Sequence, residues 1–199
     1  MAAPTVLIVP GLRDHVEEHW QTRLVERIPA LGMKVRTVPP MGRGNLDLAM
    51  RMDAIDRGLM ATSGPVIIVA HSGGVVSLVH WAGAPGRSRK LVRGALLATP
   101  PDFETPMPAD YPPIEALRAA GWLPVPLDPL PFPRIVAASR NDPLATFERV
   151  AEMAQCWDSR LVDLGEVGHL NPASGYGEWP QAEEFIRDLA AVTPTAKAA

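Results

Sequence analysis

Short apolar runs alternate with longer amphipathic segments along the whole chain. The short runs end at Pro, Gly or polar residues, and the most apolar of them are continuous, as in parallel strands buried on both faces. The predicted strands cover 5–9, 33–38, 65–70, 91–98, 134–139 and 160–164. Between them, apolar residues recur every three to four positions, which predicts helices. The predicted helices cover 14–28, 45–61, 75–81, 113–120, 144–157 and 179–191.

The first predicted helix carries a start signal. Asp14 with Glu17 three residues later has the pattern of a capping box. Val16, Trp20 and Leu24 follow at intervals of four, so we expect all three on the buried face of this helix.

The repeated strand–helix units predict the fold class. A parallel sheet covered by helices on both faces is the architecture that such alternation favours, so we expect an α/β fold, a three-layer α/β/α sandwich. The 199 residues contain no linker-like stretch, which predicts a single domain over 1–199. The tail 192–199 is small and polar, and we expect it to be frayed.

Composition excludes several function classes. A net charge of −3 argues against a nucleic-acid partner, and the densest basic cluster, 87–90, is typical of a solvated turn. No apolar run reaches the ~18 residues of a membrane helix, so no membrane partner is expected. The N-terminus lacks the basic region of a signal peptide, which makes a cytoplasmic location the expectation. A small-molecule partner fits best, and the oligomeric state stays open.

Cofactor chemistry has no support in the sequence. The single cysteine, Cys156, excludes an internal disulfide framework and a Cys-rich zinc site. His15 and His19 have a spacing that can bind zinc, but no third ligand accompanies them. No Gly-rich nucleotide motif is present. We therefore expect neither a metal nor a cofactor.

The clearest candidate for chemistry lies where the third predicted strand ends. Ala70-His71-Ser72-Gly73-Gly74 connects this strand to a helix, which is the context of a nucleophile elbow. Small residues two before and two after the serine let the tight turn approach neighbouring backbone, and the turn presents the hydroxyl. A Gly-rich turn whose serine only caps the helix would have the same sequence pattern.

Two further residues complete a candidate triad with Ser72. Asp142 follows the fifth predicted strand and His169 follows the sixth, so the order Ser, Asp, His matches that of α/β-hydrolases. Loops after the carboxyl ends of parallel strands share one edge of the sheet. We therefore expect these three residues to meet, with Ser72 as nucleophile, His169 as base and Asp142 as its orienting acid.

Backbone N–H groups near Ser72 are candidates for an oxyanion hole. Gly73 N–H opens the helix after the elbow, where the helix dipole favours negative charge. The loop after the first strand supplies the second donor in this kind of site, and Leu12 N–H is the first choice, with Arg13 N–H as the alternative. A plain strand-to-helix turn is the other interpretation of this loop.

These motifs together resemble a known family. Val-Pro-Gly-Leu at 9–12, His19-Trp20, His71-Ser72, Asn141-Asp142-Pro143 and the run 168–171 are similar to motifs of small serine hydrolases in the α/β-hydrolase superfamily. More narrowly, the chain resembles the retinoblastoma-binding-protein-nine/YdeN-like family. The resemblance implies a minimal fold without a large cap domain, its six strands ordered 2-1-3-4-5-6. It also implies intracellular serine-hydrolase chemistry, with small esters or aminopeptidase-type amides as substrates.

Three departures from the family pattern bear on the site. Gly73 stands where a larger residue, often Leu, is expected, and Ala70 replaces the first Gly of the elbow. Pro39-Pro40-Met41-Gly42 stands where an aromatic residue is expected. The first two concern the flexibility of the elbow and the third concerns the pocket wall.

Proline is concentrated in one segment. Of 22 prolines, eleven lie between Pro100 and Pro133, in the connection after the fourth strand where larger hydrolases insert a cap. We expect a semi-rigid cover over the active-site rim, although a structural crossover packed along the sheet would explain the prolines too. The candidate pocket residues are Arg13, Phe103, Met107, Tyr111, Trp122 and Leu123.

The expected reaction is hydrolysis of a small ester, thioester or amide through an acyl-enzyme on Ser72. Two alternatives stay open. The fold could serve as a catalytically weak binding or interaction protein, with a mispaired or shielded triad. The same triad could also transfer the acyl group to an alcohol or amine instead of water.

Overall fold

The computed structural model describes residues 3–12, 16–42, 44–87, 89 and 91–192. Six strands form one sheet: β1 (Thr5–Val9), β2 (Lys34–Thr37), β3 (Val66–His71), β4 (Val92–Ala98), β5 (Arg134–Ala138) and β6 (Arg160–Asp163). All neighbouring strands are parallel and their order is β2-β1-β3-β4-β5-β6. The predicted fold class and strand order are confirmed, and the sheet and its helices form a single domain.

The register brings the ends of the central strands together. Val9 at the end of β1 pairs with Ala70, and His71 at the end of β3 pairs with Ala98. Ala138 at the end of β5 pairs with Asp163 at the end of β6. The loops that follow these strands therefore meet at one edge of the sheet, which is where α/β sheets place their ligands.

Helices cover both faces of the sheet. They are α1 (Trp20–Arg27), α2 (Leu48–Met60), α3 (Gly73–Gly83), α4 (Ile114–Ala119), α5 (Phe147–Cys156) and α6 (Gln181–Ala191), with short 3₁₀ turns at Ile28–Leu31 and Pro172–Ser174. One apolar core lies between the sheet and α2, α3 and α5, and a second lies between the sheet and α1 and α6. Burial on both faces explains why β1, β3 and β4 are almost uniformly apolar.

The predicted start of the first helix was wrong. Helix α1 begins at Trp20, and its N-cap is His19, whose Nδ1 accepts a hydrogen bond from Gln21 N–H. Val16 precedes the helix and is 39% exposed, so it does not belong to the buried stripe. Asp14 lies outside the described residues. Helices α2 and α5 also begin later than predicted, because Asp47 and Thr146 are their side-chain caps.

The Pro-rich segment 100–133 packs mainly as part of the core. Beyond α4, the apolar residues of this segment are buried against the sheet face that carries α2, α3 and α5. They include Trp122, Val125, Leu130 and Phe132. Trp122 Nε1 donates to Leu46 O at 2.7 Å, which ties the segment to the loop before α2. The later half of the segment therefore has the structure of a packed crossover.

No helix among the described residues is long and apolar enough to span a bilayer. The tail 193–199 lies outside the described residues, as does part of the basic cluster at 87–90.

Candidate active site

Ser72 occupies a strained turn between β3 and α3. Its backbone has φ 55° and ψ −130°, a conformation that costs about 1–3 kcal/mol for a residue with a side chain. Gly74 allows the turn, because a Cβ at this position would lie 2.5 Å from Pro10 O and 2.6 Å from Val9 O. The end of β1 thus packs directly against the start of α3, as the sequence pattern of the elbow requires.

The three predicted triad residues lie in one chain of hydrogen bonds. His169 Nε2 is 2.7 Å from Ser72 Oγ. On the other side of the ring, His169 Nδ1 is 2.8 Å from Asp142 Oδ2 and 3.0 Å from Oδ1. The side chains of His169 and Asp142 are 4% and 1% exposed, so water hardly competes for these contacts. The arrangement can move a proton from the serine to the histidine while the carboxylate holds the ring.

Hydrogen bonds from neighbouring residues hold both partners of Ser72 in place. Asp142 Oδ1 accepts a second hydrogen bond from Leu144 N–H at 2.9 Å. The loop that carries His169 is held by Asn141 Oδ1, which accepts from Gly168 N–H at 2.6 Å, and by Ser174 Oγ, which accepts from His169 N–H at 3.1 Å. No sequence motif marks the role of Asn141, because it depends on a contact between the loops after β5 and β6. Ser174 acts within the loop that carries His169.

The loop after β1 lies against the nucleophile. A Cβ on Gly11 would be 3.5 Å from Ser72 Oγ, so this loop passes close to the reacting atom. Among the described residues, no backbone acceptor is assigned to Leu12 N–H, and Gly73 N–H, in the first turn of α3, has no acceptor within the helix. Leu12 lines the pocket at Ser72 and Gly73 follows Ser72 in the chain, so both predicted oxyanion donors lie close to the nucleophile.

Leu12 also explains why residue 73 is glycine. A Cβ on Gly73 would lie 2.8 Å from Leu12 Cγ, closer than side chains approach one another. The Leu12 side chain, 7% exposed, thus fills the space that a larger residue at 73 would occupy in the family pattern. The neighbouring loop thus compensates for the missing side chain at position 73.

His71, directly before the nucleophile, is buried behind His169. Its ring lies 4.8 Å from the ring of His19 and 5.1 Å from the ring of His169, centroid to centroid. Its Nε2 is 3.0 Å from His169 O, so this nitrogen carries the proton and donates to the carbonyl. Burial lowers the pKa of His71 well below its usual value, and the neighbouring His169 and His19 lower it further. His71 is therefore a neutral donor that braces the loop of His169.

The start of α1 supports the same edge of the sheet. Gln21 is 1% exposed, and its Nε2 donates to Val9 O at 3.2 Å and to Val69 O at 3.1 Å. These carbonyls belong to the strands that carry the Leu12 loop and the elbow. Sequence analysis missed Gln21, although a glutamine between Trp20 and Leu24 on a buried helix face was a usable signal.

A pocket of about 180 Å³ opens at Ser72. Of the predicted pocket residues, Phe103 and Tyr111 line it, whereas Met107 does not. Trp122 was a wrong choice, because it is fully buried and stacks edge-on against Phe103 at 5.5 Å. Leu123 packs against the core, and Arg13 lies outside the described residues.

Residues that sequence analysis had not assigned to the pocket complete its wall. They come from the loops after β1, β5 and β6 and include Val16, Leu144, Asn171, Pro172 and Ala173. Within the described ranges, no three His, Cys, Asp or Glu side chains are grouped so that they could hold a metal ion. His15, one of the two histidines at zinc-like spacing, lies outside those ranges.

Comparison with known proteins assigns the family. The model of the family described as serine hydrolase matches residues 6–188, nearly the whole chain. The chain belongs to the serine hydrolase family. A structure described as a YdeN-like hydrolase from Pectobacterium atrosepticum shares 30% identity with this serine hydrolase at a TM-score of 0.77, covering 94% of this chain and 91% of that one. The hydrolase is thus of the small YdeN-like type, as the sequence motifs predicted.

More distant structures share the fold of this serine hydrolase. The ydeN gene product from B. subtilis is 18% identical, with a TM-score of 0.74 over 95% of this chain and all of that one. Est1E from Butyrivibrio proteoclasticus is 15% identical, with a TM-score of 0.70 over 96% and 89% of the two chains. No match was found among curated protein sequences.

The buried His71 makes the stability of the hydrolase depend on pH. Because its pKa is lower in the folded than in the unfolded protein, the unfolded state binds more protons as the pH falls below about 6.5. The free energy of unfolding is therefore expected to decrease from pH 7.5 to 5.5, and His71→Gln, which cannot bind this proton, should flatten the decrease. Urea unfolding of both proteins at a series of pH values measures this free energy.

His80 provides the control for this experiment. Burial also lowers the pKa of His80. His80→Gln should therefore remove the part of the pH dependence that His80 contributes and leave the part that His71 contributes. A His71→Gln protein with the same pH slope as the wild type would show that His71 is not held neutral in the folded state.

Proposed function

We propose that this serine hydrolase cleaves a small carboxylic ester through an acyl-enzyme on Ser72. The observation that carries the proposal is the position of His169, 2.7 Å from Ser72 Oγ and 2.8 Å from Asp142 Oδ2. A serine hydroxyl is a weak nucleophile by itself and needs an adjacent, oriented base. The hydrogen-bond chain supplies that base, and the pocket at Ser72 gives a substrate access to it.

In the acylation step, Ser72 Oγ attacks the ester carbonyl and His169 Nε2 takes the hydroxyl proton. The carbonyl oxygen becomes an oxyanion, which the N–H groups of Gly73 and Leu12 would stabilise, each lowering the barrier by about 3–4 kcal/mol. The intermediate collapses when His169 returns the proton to the leaving alcohol. Asp142 keeps the Nδ1 proton in place, so that Nε2 faces the serine, and it stabilises the imidazolium that forms.

In the deacylation step, water replaces the alcohol. His169 Nε2 takes a proton from the water as its oxygen attacks the acyl carbon, and the second oxyanion uses the same two N–H groups. Collapse of this intermediate breaks the bond to Ser72 Oγ, which recovers its proton from His169. The products are the carboxylic acid and the free enzyme.

Pairing within the triad supports an enzyme over a binding module. The binding alternative requires a serine that is shielded or not paired with the histidine. Here Ser72 is half-buried, borders the pocket and makes a short hydrogen bond to His169. A structure of the same fold, described as Thermogutta terrifontis esterase 2, adds support for ester substrates.

Labelling with a fluorophosphonate tests the proposal. This probe phosphonylates activated serines, so we expect the wild-type protein to gain one adduct, located on the peptide that contains Ser72 by mass spectrometry. Boiled protein serves as the control for nonspecific reaction. A native protein that gains no adduct, or gains it on another residue, would refute the assignment of Ser72 as nucleophile.

A further inference from the structure

We infer that the pocket beside Ser72 binds a neutral acyl group about the size of one benzene ring. The inference rests on the proposed function, because it assigns the pocket to the acyl part of the ester. It selects between the two substrate classes that the family resemblance implied, namely small neutral esters and substrates with a free α-amino group.

The volume of the pocket limits the size of the acyl group. A cavity of ~150 Å³ in a protein core holds one benzene molecule. The pocket at Ser72, at about 180 Å³, is only slightly larger. It has room for a benzoyl group or a short aliphatic chain, and a fatty acyl chain would have to extend past the pocket into solvent.

The apolar part of the wall comes from four separate connections. Val16 belongs to the loop after β1, Phe103 and Tyr111 to the Pro-rich segment, and Leu144 to the loop after β5. Pro172 and Ala173 belong to the loop after β6. Phe103 and Leu144 are 2% and 3% exposed, so packing behind them holds the wall in place. Such a surface favours the binding of an apolar acyl chain, because removing apolar groups from water lowers the free energy.

The polar side chains in the described part of the wall are those of Ser, Tyr, Asn and His residues. Among the lining residues that the structure describes, none is Asp, Glu, Lys or Arg. The carboxylate of Asp142 is 1% exposed and lies on the far side of His169. His71 is held neutral by its burial, which keeps its pKa low. An α-ammonium or a second carboxylate on the acyl group would therefore lose its hydration without gaining a counter-charge.

A series of p-nitrophenyl esters tests the inference with the wild-type protein. We expect kcat/KM to be highest for acyl chains of about four to six carbons and for benzoate, and to fall at least about tenfold for dodecanoate. The p-nitrophenyl esters of butanoate and 2-aminobutanoate differ only in the amino group. After division by their spontaneous hydrolysis rates, the amino ester should be at least about tenfold poorer.

Tyr111→Ala tests whether the pocket itself sets the chain length. Tyr111 is half-buried at the pocket, so its truncation should enlarge the pocket and move the optimum to longer chains. Leu127→Ala is the matched control, because Leu127 lies in the same Pro-rich segment, is 36% exposed and does not line the pocket. It should leave the optimum unchanged.

Val16→Asp tests the charge argument. Val16 is 39% exposed at the pocket, so a carboxylate is tolerated there and would provide the missing counter-charge. We expect the ratio of kcat/KM for the amino ester to that for butanoate to rise about tenfold or more.

The results separate this inference from the proposed function. If Ser72 reacts with the fluorophosphonate but the wild type prefers dodecanoate or 2-aminobutanoate, the inference is wrong and the nucleophile assignment stands. An optimum that Tyr111→Ala leaves in place, or an ester ratio that Val16→Asp leaves unchanged, would also overturn it. If Ser72 does not react, the proposed function fails first.

Discussion

Replacing Ser72 by alanine is expected to lower kcat/KM for p-nitrophenyl butanoate by about 10⁵- to 10⁶-fold. The variant keeps the oxyanion donors and the pocket, but His169 no longer has a hydroxyl to activate, since its Nε2 contacts Ser72 Oγ. What is left is the catalysis by binding and by the oxyanion hole, roughly 10³- to 10⁴-fold over water. Steady-state release of p-nitrophenol measures the loss.

Ser77→Ala is the matched control for Ser72→Ala. Ser77 lies on α3, one turn beyond the elbow, and its hydroxyl donates to Gly74 O and not to the triad. This variant should keep its reaction with the fluorophosphonate. Thermal unfolding of both variants shows whether each is folded. A folded Ser72→Ala protein with wild-type turnover would eliminate Ser72 as the nucleophile.

Replacing Asp142 by asparagine is expected to lower kcat by about 10⁴-fold. Asp142 Oδ1 also accepts from Leu144 N–H, so an asparagine would keep its oxygen there and turn its NH₂ group toward His169 Nδ1. His169 would then have to accept at Nδ1 and carry its proton on Nε2, and this tautomer cannot take the serine proton. The KM should change little, since Asp142 does not line the pocket.

Asp163→Asn separates this effect from a general loss of a carboxylate at the sheet edge. Asp163 ends β6 and pairs with Arg140, with no contact to His169. Its removal should leave kcat within a few-fold of the wild type. If Asp142→Asn reduced kcat no more than Asp163→Asn does, Asp142 would have no role in orienting the base.

The sheet and the meeting of the triad residues could be predicted because they depend on simple patterns. Strands buried on both faces must be apolar at nearly every position, which makes β1, β3 and β4 visible in the sequence. In a parallel sheet, residues after strand ends come to one edge however far apart they are in the chain. The proximity of Ser72, Asp142 and His169 could be predicted from these two rules alone.

The start of α1 was predicted wrongly because tertiary contacts decide it, whereas α2 and α5 begin at the local caps Asp47 and Thr146. The pattern Asp14-Glu17 suggested an early start, yet α1 begins at Trp20. There the His19 side chain caps the helix and packs on His71, and Gln21 binds carbonyls at the ends of β1 and β3. His71, Val9 and Val69 are 12 or more residues away from these two side chains in the sequence, so local capping preferences carried no information about them.

The Pro-rich segment divides in a way that composition alone does not reveal. Phe103 and Tyr111 at its beginning reach the pocket, whereas Trp122 turns into the core beneath Phe103. Both destinations are apolar, so the residue types are the same in either case. Only the packing against the sheet decides which aromatic residue faces a substrate.

The sequence by itself determined the fold class, the strand order through its family motifs, and the three residues that meet at the sheet edge. The fold class and the site residues follow from apolar periodicity and chain topology, which can be inferred from the order of the residues. The tertiary structure alone decided the bracing of His169 by His71 and Asn141, the fit of Leu12 over Gly73, and the size of the pocket and which described residues line it. Each of these depends on distances of a few ångströms between side chains from different loops, and no one-dimensional pattern encodes such distances.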